Sequence, residues 1–341
     1  MTDKNPTQIV RDSNIELLRI ICMLFIICGH IIMVHKYENT FDSSWYINQV
    51  IRPFCTVSVN IFILITGYFG LKLKYKKLLT LNGMVTFYSV VFLIISIILG
   101  IHTLTFSKDW MQLLPVVTKQ YWFITIYFIL CLISPFLNIL IEHLNKKSYK
   151  NLLITMFLAF VIIPTLGFIT NFPSITEDSG YGIINFIFLY LTGRYIRLYN
   201  PVVGSFCKSW YLLGYFSSMM ACGLFQICYS KLLGFSFDAL LSYDTIFVFF
   251  GAICLFQFFK SMHYSSRRIN LLAAPCLAVY VLHMHPLFYS YFFKEILRVN
   301  LYTDCPYIAF LLVAPTLIYI SSFIIEQCRI KLFHFMKMIV K

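Results

Sequence analysis

The chain has 341 residues, of which 60% are hydrophobic and only 12% charged, and its mean hydropathy is +0.79. A soluble domain carries about 25% charged residues, so this composition excludes an ordinary globular protein and points to a polytopic membrane protein. The formal net charge of +13 does not argue for nucleic acid, because the basic residues sit in short segments between apolar runs, where they set topology.

Taken in chain order, ten apolar runs of about 20 residues are long enough to cross a bilayer as helices. They lie near 14–34, 53–71, 78–100, 121–141, 151–170, 182–199, 210–229, 243–260, 270–291 and 305–326. The first carries charge and lacks a small-residue cleavage site, which marks a retained span rather than a cleaved signal. The connections are short. The expected fold class is therefore all-α, a polytopic integral membrane helix bundle of about ten transmembrane helices in a single domain over 1–341. With the N-terminus in the cytoplasm, most of the 27 Lys and Arg residues fall on the inner side, so both termini are expected to be cytoplasmic. The outer connections are then 36–52, 101–120, 171–181, 230–242 and 292–304. The tail 328–341 mixes Lys and Arg with Leu, Phe, Met and Ile, and is expected to lie along the inner membrane surface.

Most of the 11 Cys, including Cys22, Cys28, Cys131, Cys222, Cys228 and Cys254, lie inside apolar runs as small buried hydrophobes. No CxxC or Cys/His metal spacing occurs, so neither a disulfide framework nor a metal site is expected. No phosphate-binding Gly-rich loop, HExxH or GxSxG occurs either, which disfavours nucleotide-driven pumps and hydrolases of those classes.

The first span, NIELLRIICMLFIICGHIIMVH, carries Glu16, Arg19 and His30. An Arg at the centre of a span costs roughly 2.5–3.5 kcal/mol on insertion scales. Such residues are kept mostly where they face a bundle interior or a water-filled cavity. Arg19 and His30 are eleven residues apart, which places them within about 20° on one helix face and about 16 Å apart along it. Glu16 lies about 40° to the other side of His30. This face reads as two ends of one site. It reads equally as an Arg that snorkels and pairs with Glu16 at i,i+3, with His30 an interior histidine. His30 is about 24 Å along its span and His283 about 20 Å along the ninth, so the two rings are expected at similar depth.

Several segments together resemble the membrane-bound acyltransferase type 3 family, which acylates cell-surface carbohydrates. Arg19 and His30 match its Arg-x10-His signature after NIELL. LITGYFGLKLKYKKLL is similar to its "SGYF" exit and basic inner loop, and YWFITIYFILCLISPFLNILI to its Trp-Phe opening and Pro-Phe-Leu-Asn close. YLTGRYIRLY ends the sixth span, AVYVLHMHP is similar to the Tyr-Leu-x-His segment, and SSFIIEQCRIKLF to the closing motif. The order and spacing of these pieces cover nearly the whole chain. The chain departs from the family at the inner loop, where KLKYKK offers Lys74 and Lys77 in place of an Arg-x-x-Arg pair. Lys keeps the charge but not the guanidinium fork. Arg194 and Arg197 have the Arg-x-x-Arg spacing, but at the end of the sixth span.

The resemblance implies an enzyme of the bacterial cytoplasmic membrane with acetyl-coenzyme A as donor, and a surface glycan or its lipid-linked precursor as acceptor. It implies His30 as catalytic residue, either base or transient acyl carrier, a role that suits a side chain with an ordinary pKa near 6.5. Arg19, Lys74, Lys77, Arg194 and Arg197 are the candidates for holding the donor phosphates, with topology-setting charge as the plainer reading of each. Glu16, Trp122, His283 and Glu326 are candidates for substrate contact. Against these stand an interfacial belt role for Trp122 and a salt bridge to Arg329 for Glu326; His102 and His285 read as ordinary. The alternative function is a non-enzymatic polysaccharide exporter or flippase, which consumes no acetyl-coenzyme A. An ion-coupled transporter more often has matching halves, and no internal symmetry is visible.

Overall fold

Inside a bilayer the backbone finds no water, so each apolar run satisfies its own N–H and C=O groups by coiling into a helix. The computed structural model describes residues 12–35, 41–170, 178–199 and 208–339, and contains no strand among them. Its main helices are α1 (Ser13–Val34), α2 (Ser43–Thr56), α3 (Ser58–Phe69), α4 (Tyr75–Ile98), α5 (Trp122–His143), α6 (Lys146–Thr170), α7 (Ile183–Tyr199), α8 (Lys208–Leu233), α9 (Ile246–Lys260), α10 (Arg267–Ala273), α11 (Cys276–His283) and α12 (Asp304–Ile339). The side-chain oxygens of Asp42 and Asn145 cap α2 and α6 by accepting from Trp45 N and Ser148 N at 2.7 and 2.9 Å.

Among the described residues, eight segments are long and apolar enough to cross a membrane: α1, the α2–α3 pair, α4, α5, α6, α8, Ala239–Lys260 and α12. The protein is a polytopic helical membrane protein. The two remaining expected spans take other forms. The run 182–199 makes α7, a helix of 17 residues, about 26 Å long. The run 270–291 is broken into α10 and α11 at Ala274–Pro275. Proline lacks the amide hydrogen and pushes the preceding residue out of the helical region. Pro286 likewise follows the end of α11.

One connection also departs from expectation. Part of 36–52 is helical, because α2 begins at Ser43. Its inward face is polar, so the apolar signature of a span is missing. Trp45 Nε1 donates to Ser236 Oγ at 3.0 Å, and Asn48 Oδ1 accepts from Tyr307 OH at 2.7 Å. The tail from 328 is helical and continuous with α12 as far as Ile339.

Helix α1 is central and packs against α2, α3, α9, α10, α11 and α12. Leu18, Ile27 and Ile31 are wholly buried there. The tightest crossing is α3 on α7. A Cβ at Gly67 would collide with the Tyr190 carbonyl oxygen, and one at Gly193 with that of Leu64. Close backbone approach through small residues is how membrane helices gain packing without a hydrophobic driving force between them.

Candidate active site

Arg19, Met23, Ile26, His30 and Met33 recur at helical spacing and line a cavity of about 550 Å³. Opposite them stand Arg52, Cys55, Val59, Phe62 and Thr66 from α2–α3, Trp122, Phe123 and Tyr127 from α5, and Ala273, Ala274, Cys276 and Tyr280 around the α10–α11 break. The Arg-x10-His spacing thus becomes one wall of one cavity, with Arg19 toward the end where α1 begins (the near end) and His30 toward the other (the far end). The break at Pro275 opens the opposite wall.

The chemistry of His30 is set by a chain of contacts behind it. His30 Nδ1 lies 3.0 Å from His283 Nε2, and His283 Nδ1 lies 2.6 Å from the Val279 carbonyl oxygen. A carbonyl only accepts, so His283 Nδ1 carries the hydrogen and donates it. The Nε2 of that neutral ring is then an acceptor, and His30 Nδ1 donates to it. This leaves the lone pair of His30 Nε2 for the cavity. His283 is buried and does not line the cavity; it contacts His30 instead. Tyr289 closes the His30 ring edge-on at 6.3 Å between centroids.

Glu16 is buried beside the near end, with Oε1 3.5 Å from Arg19 Nη1. Glu16 faces Arg19 rather than lining the cavity. Arg19 therefore keeps a counter-charge while its side chain reaches the cavity wall.

Lys74, Lys77, Arg194 and Arg197 do not line the cavity. They gather at the near end around the turn that leaves α3. Gly70 there has φ +75°, and the Arg194 guanidinium lies over it, 3.3 Å from where a Cβ would be. Arg197 Nη1 donates to Tyr68 OH at 3.0 Å. The turn is held by Leu71 N donating to Tyr190 OH at 3.1 Å and by Asn138 Nδ2 donating to the Leu71 carbonyl at 2.8 Å. Lys74 and Lys77 follow it, exposed. Two basic pairs distant in sequence thus share one end of the bundle.

Trp122 lines the cavity and stacks on Tyr243 at 5.9 Å and 23°, with Tyr181 4.6 Å away. Glu326 lies outside the cavity. Its carboxylate accepts from Arg329 Nε and Nη2 at 2.7 and 2.6 Å and from Tyr88 OH at 2.6 Å, which is the ion pair of the plainer reading. His285 is buried, with Nε2 3.2 Å from the Ser89 carbonyl, and stacks on Phe92. His102 pairs with Asp109 at 2.9 Å in the 101–120 connection. Burial opposes the charge of Asp109, but the Thr105 N–H and His102 hold its carboxyl below its ordinary range.

Arg52, Tyr181 and Tyr243 line the cavity without having stood out in the sequence, whereas Tyr280 lies in the AVYVLHMHP segment. Of the first three, only Arg52 left a signal, as a cation followed by proline at the head of an apolar run.

No curated protein and no solved structure matches the chain. A family model does: the type 3 acyltransferase model, described as an acyltransferase domain, matches residues 12–326. That stretch runs from the residue before α1 to Glu326 and takes in every wall of the cavity, and the chain belongs to the acyltransferase 3 family of membrane proteins.

Proposed function

We propose that the protein is an O-acyltransferase that moves an acetyl or other short acyl group from cytoplasmic acyl-coenzyme A to a hydroxyl of a surface glycan or its lipid-linked precursor. The near end of the bundle faces the cytoplasm, as the distribution of Lys and Arg suggests, and the membrane is the bacterial cytoplasmic membrane. The observation that carries this reading is the His30–His283–Val279 chain, which leaves an acceptor nitrogen in the same cavity as Arg19.

Arg19 anchors a donor phosphate at one end, and the long arm of the coenzyme brings its thioester to His30. The two positions are about 16 Å apart along α1. Lys74, Lys77, Arg194 and Arg197 collect the polyanionic donor at the cytoplasmic face; Lys acts there as a point charge and Arg as a fork. His30 Nε2 takes the proton of the acceptor hydroxyl as its oxygen attacks the thioester carbonyl carbon. The C–O bond forms and the C–S bond breaks. The departing thiolate recovers the proton from His30, so ester and free coenzyme A leave and the histidine is regenerated. His283 keeps His30 in the tautomer that this requires.

The test is donor dependence in inside-out membrane vesicles that hold the host's glycan. Label from acetyl-coenzyme A is expected to enter the glycan only when the protein is present. Protein-dependent glycan movement with no label incorporated would make the chain an exporter.

A further inference from the structure

The far end of the cavity holds a group of side chains that take no part in the proton and acyl transfers proposed above. Trp122 and Tyr243 stack at 23°, and Tyr181 packs against both, 4.6 and 4.8 Å away between centroids. All three line the cavity, as does Arg52. Arg52 Nη1 reaches Asp238 Oδ2 at 3.0 Å, and Gln49 Nε2 holds the other carboxylate oxygen at 2.7 Å. The guanidinium is thus fixed in place with its charge balanced, while its other N–H groups remain available as donors.

The height of this group is fixed by α1 against α2. A Cβ built on Gly29 would lie 3.7 Å from Cys55 Cβ, so Cys55 is level with the residue before His30. Arg52 is three residues further toward the far end, about 4.5 Å along the helix. A ligand resting on the aromatic group and bonded to Arg52 would therefore occupy the His30 end of the cavity.

We infer that Trp122, Tyr243, Tyr181 and Arg52 form the acceptor subsite, and that it binds an uncharged pyranose. The inference rests on the acyltransferase reading above. A pyranose has an apolar face of C–H groups that suits an aromatic wall and a rim of hydroxyls that accept from a guanidinium. Because Arg52 and Asp238 neutralise each other, the site offers no net charge to a uronate. A ring packed against the outer surface of this aromatic group shares the cavity with Arg52 and His30.

The test uses the full-length protein in lipid nanodiscs and two probes, methyl β-glucopyranoside and glucuronate. Saturation-transfer NMR without donor reads binding, and transfer from labelled acetyl-coenzyme A reads activity. The wild type is expected to transfer saturation to the ring C–H protons of the glucoside and at least fivefold less to glucuronate. Trp122→Leu and Tyr243→Leu should lose that signal and raise the acceptor KM at least tenfold, with the donor KM within twofold of wild type. Trp122→Phe and Tyr243→Phe, which keep an aromatic face and guard against misfolding, should bind within threefold of wild type. Glucoside binding that needs Trp122 in a protein that transfers no acetyl group would overturn the acyltransferase reading and leave the sugar site standing. Acetyl transfer in the wild type with sugar binding unchanged in both Leu variants, or preference for glucuronate, overturns the subsite. So does a rise in donor KM instead of acceptor KM.

Discussion

His283 makes a demanding prediction, because it contacts His30 but does not line the cavity. In His283→Ala the His30 Nδ1–H loses its acceptor at 3.0 Å. Such a bond contributes about 0.5–1.5 kcal/mol net, and each 1.4 kcal/mol is a factor of ten in rate. The bond alone thus accounts for roughly a two- to tenfold loss. His30 is also released to its other tautomer, with the hydrogen on Nε2 where the base must be. General-base catalysis by a positioned side chain is worth about 10²–10⁴-fold. The expected outcome is a fall in kcat of about 10- to 100-fold, with donor and acceptor KM unchanged within a factor of about three, as expected when an interaction made only in the transition state is lost. His283→Gln, whose side-chain oxygen can accept from Nδ1, should recover part of the loss. His30→Ala/His283→Ala should be no slower than His30→Ala alone, because the two act as a unit. The assay is initial-rate acetyl transfer in membranes normalised to the amount of inserted protein. A His283→Ala variant with more than half of wild-type kcat, or losses that simply add in the double variant, would refute the reasoning.

Other expectations follow from the packing and from the charges outside the cavity. Gly67→Ala drives a methyl group into the Tyr190 carbonyl and should cost about 1–3 kcal/mol of stability, seen as a lower Tm in detergent. Gly83→Ala, with nothing within 4 Å, should leave Tm in place; equal shifts would show that the α3–α7 crossing is not tight. Glu326→Gln removes the buried partner of an ion pair whose Arg329 is partly exposed, a loss below the roughly 3–5 kcal/mol of a fully buried pair. The amount of folded protein should fall while the KM for either substrate in what remains is unchanged, and an altered acceptor KM would return Glu326 to the site. Arg194→Gln with Arg197→Gln should raise the donor KM about three- to tenfold at low salt and less at high salt, as exposed charge is screened. A donor KM that ignores both the substitutions and the salt would leave these arginines as topology-setting charges.

The sequence made the membrane class legible because composition alone decides it, and it made the wall of the cavity legible because Arg19 and His30 share a face by helical geometry. What it hid depends on tertiary contact. The similar depth of His30 and His283 was readable from rise per residue, but their contact depends on how α11 leans on α1. Helix α2 was hidden because its inward face bonds through Trp45, Asn48 and Gln49 to segments nearly 200 residues away or more. Pro275 was visible throughout, but an apolar run of 22 residues reads as one span until the break is placed against a cavity. Arg52 on α2, Tyr181 before α7 and Tyr243 before α9 are far apart in the sequence, and no local pattern links them.

The most direct test is transfer of label from radiolabelled acetyl-coenzyme A to the surface glycan in membranes carrying wild type or His30→Ala at equal abundance. The account predicts labelled glycan with the wild type and a loss of at least 100-fold with His30→Ala, while the variant remains inserted at the wild-type level. Near-normal labelling by the variant would contradict it, since the nitrogen on which the chemistry rests would then be dispensable.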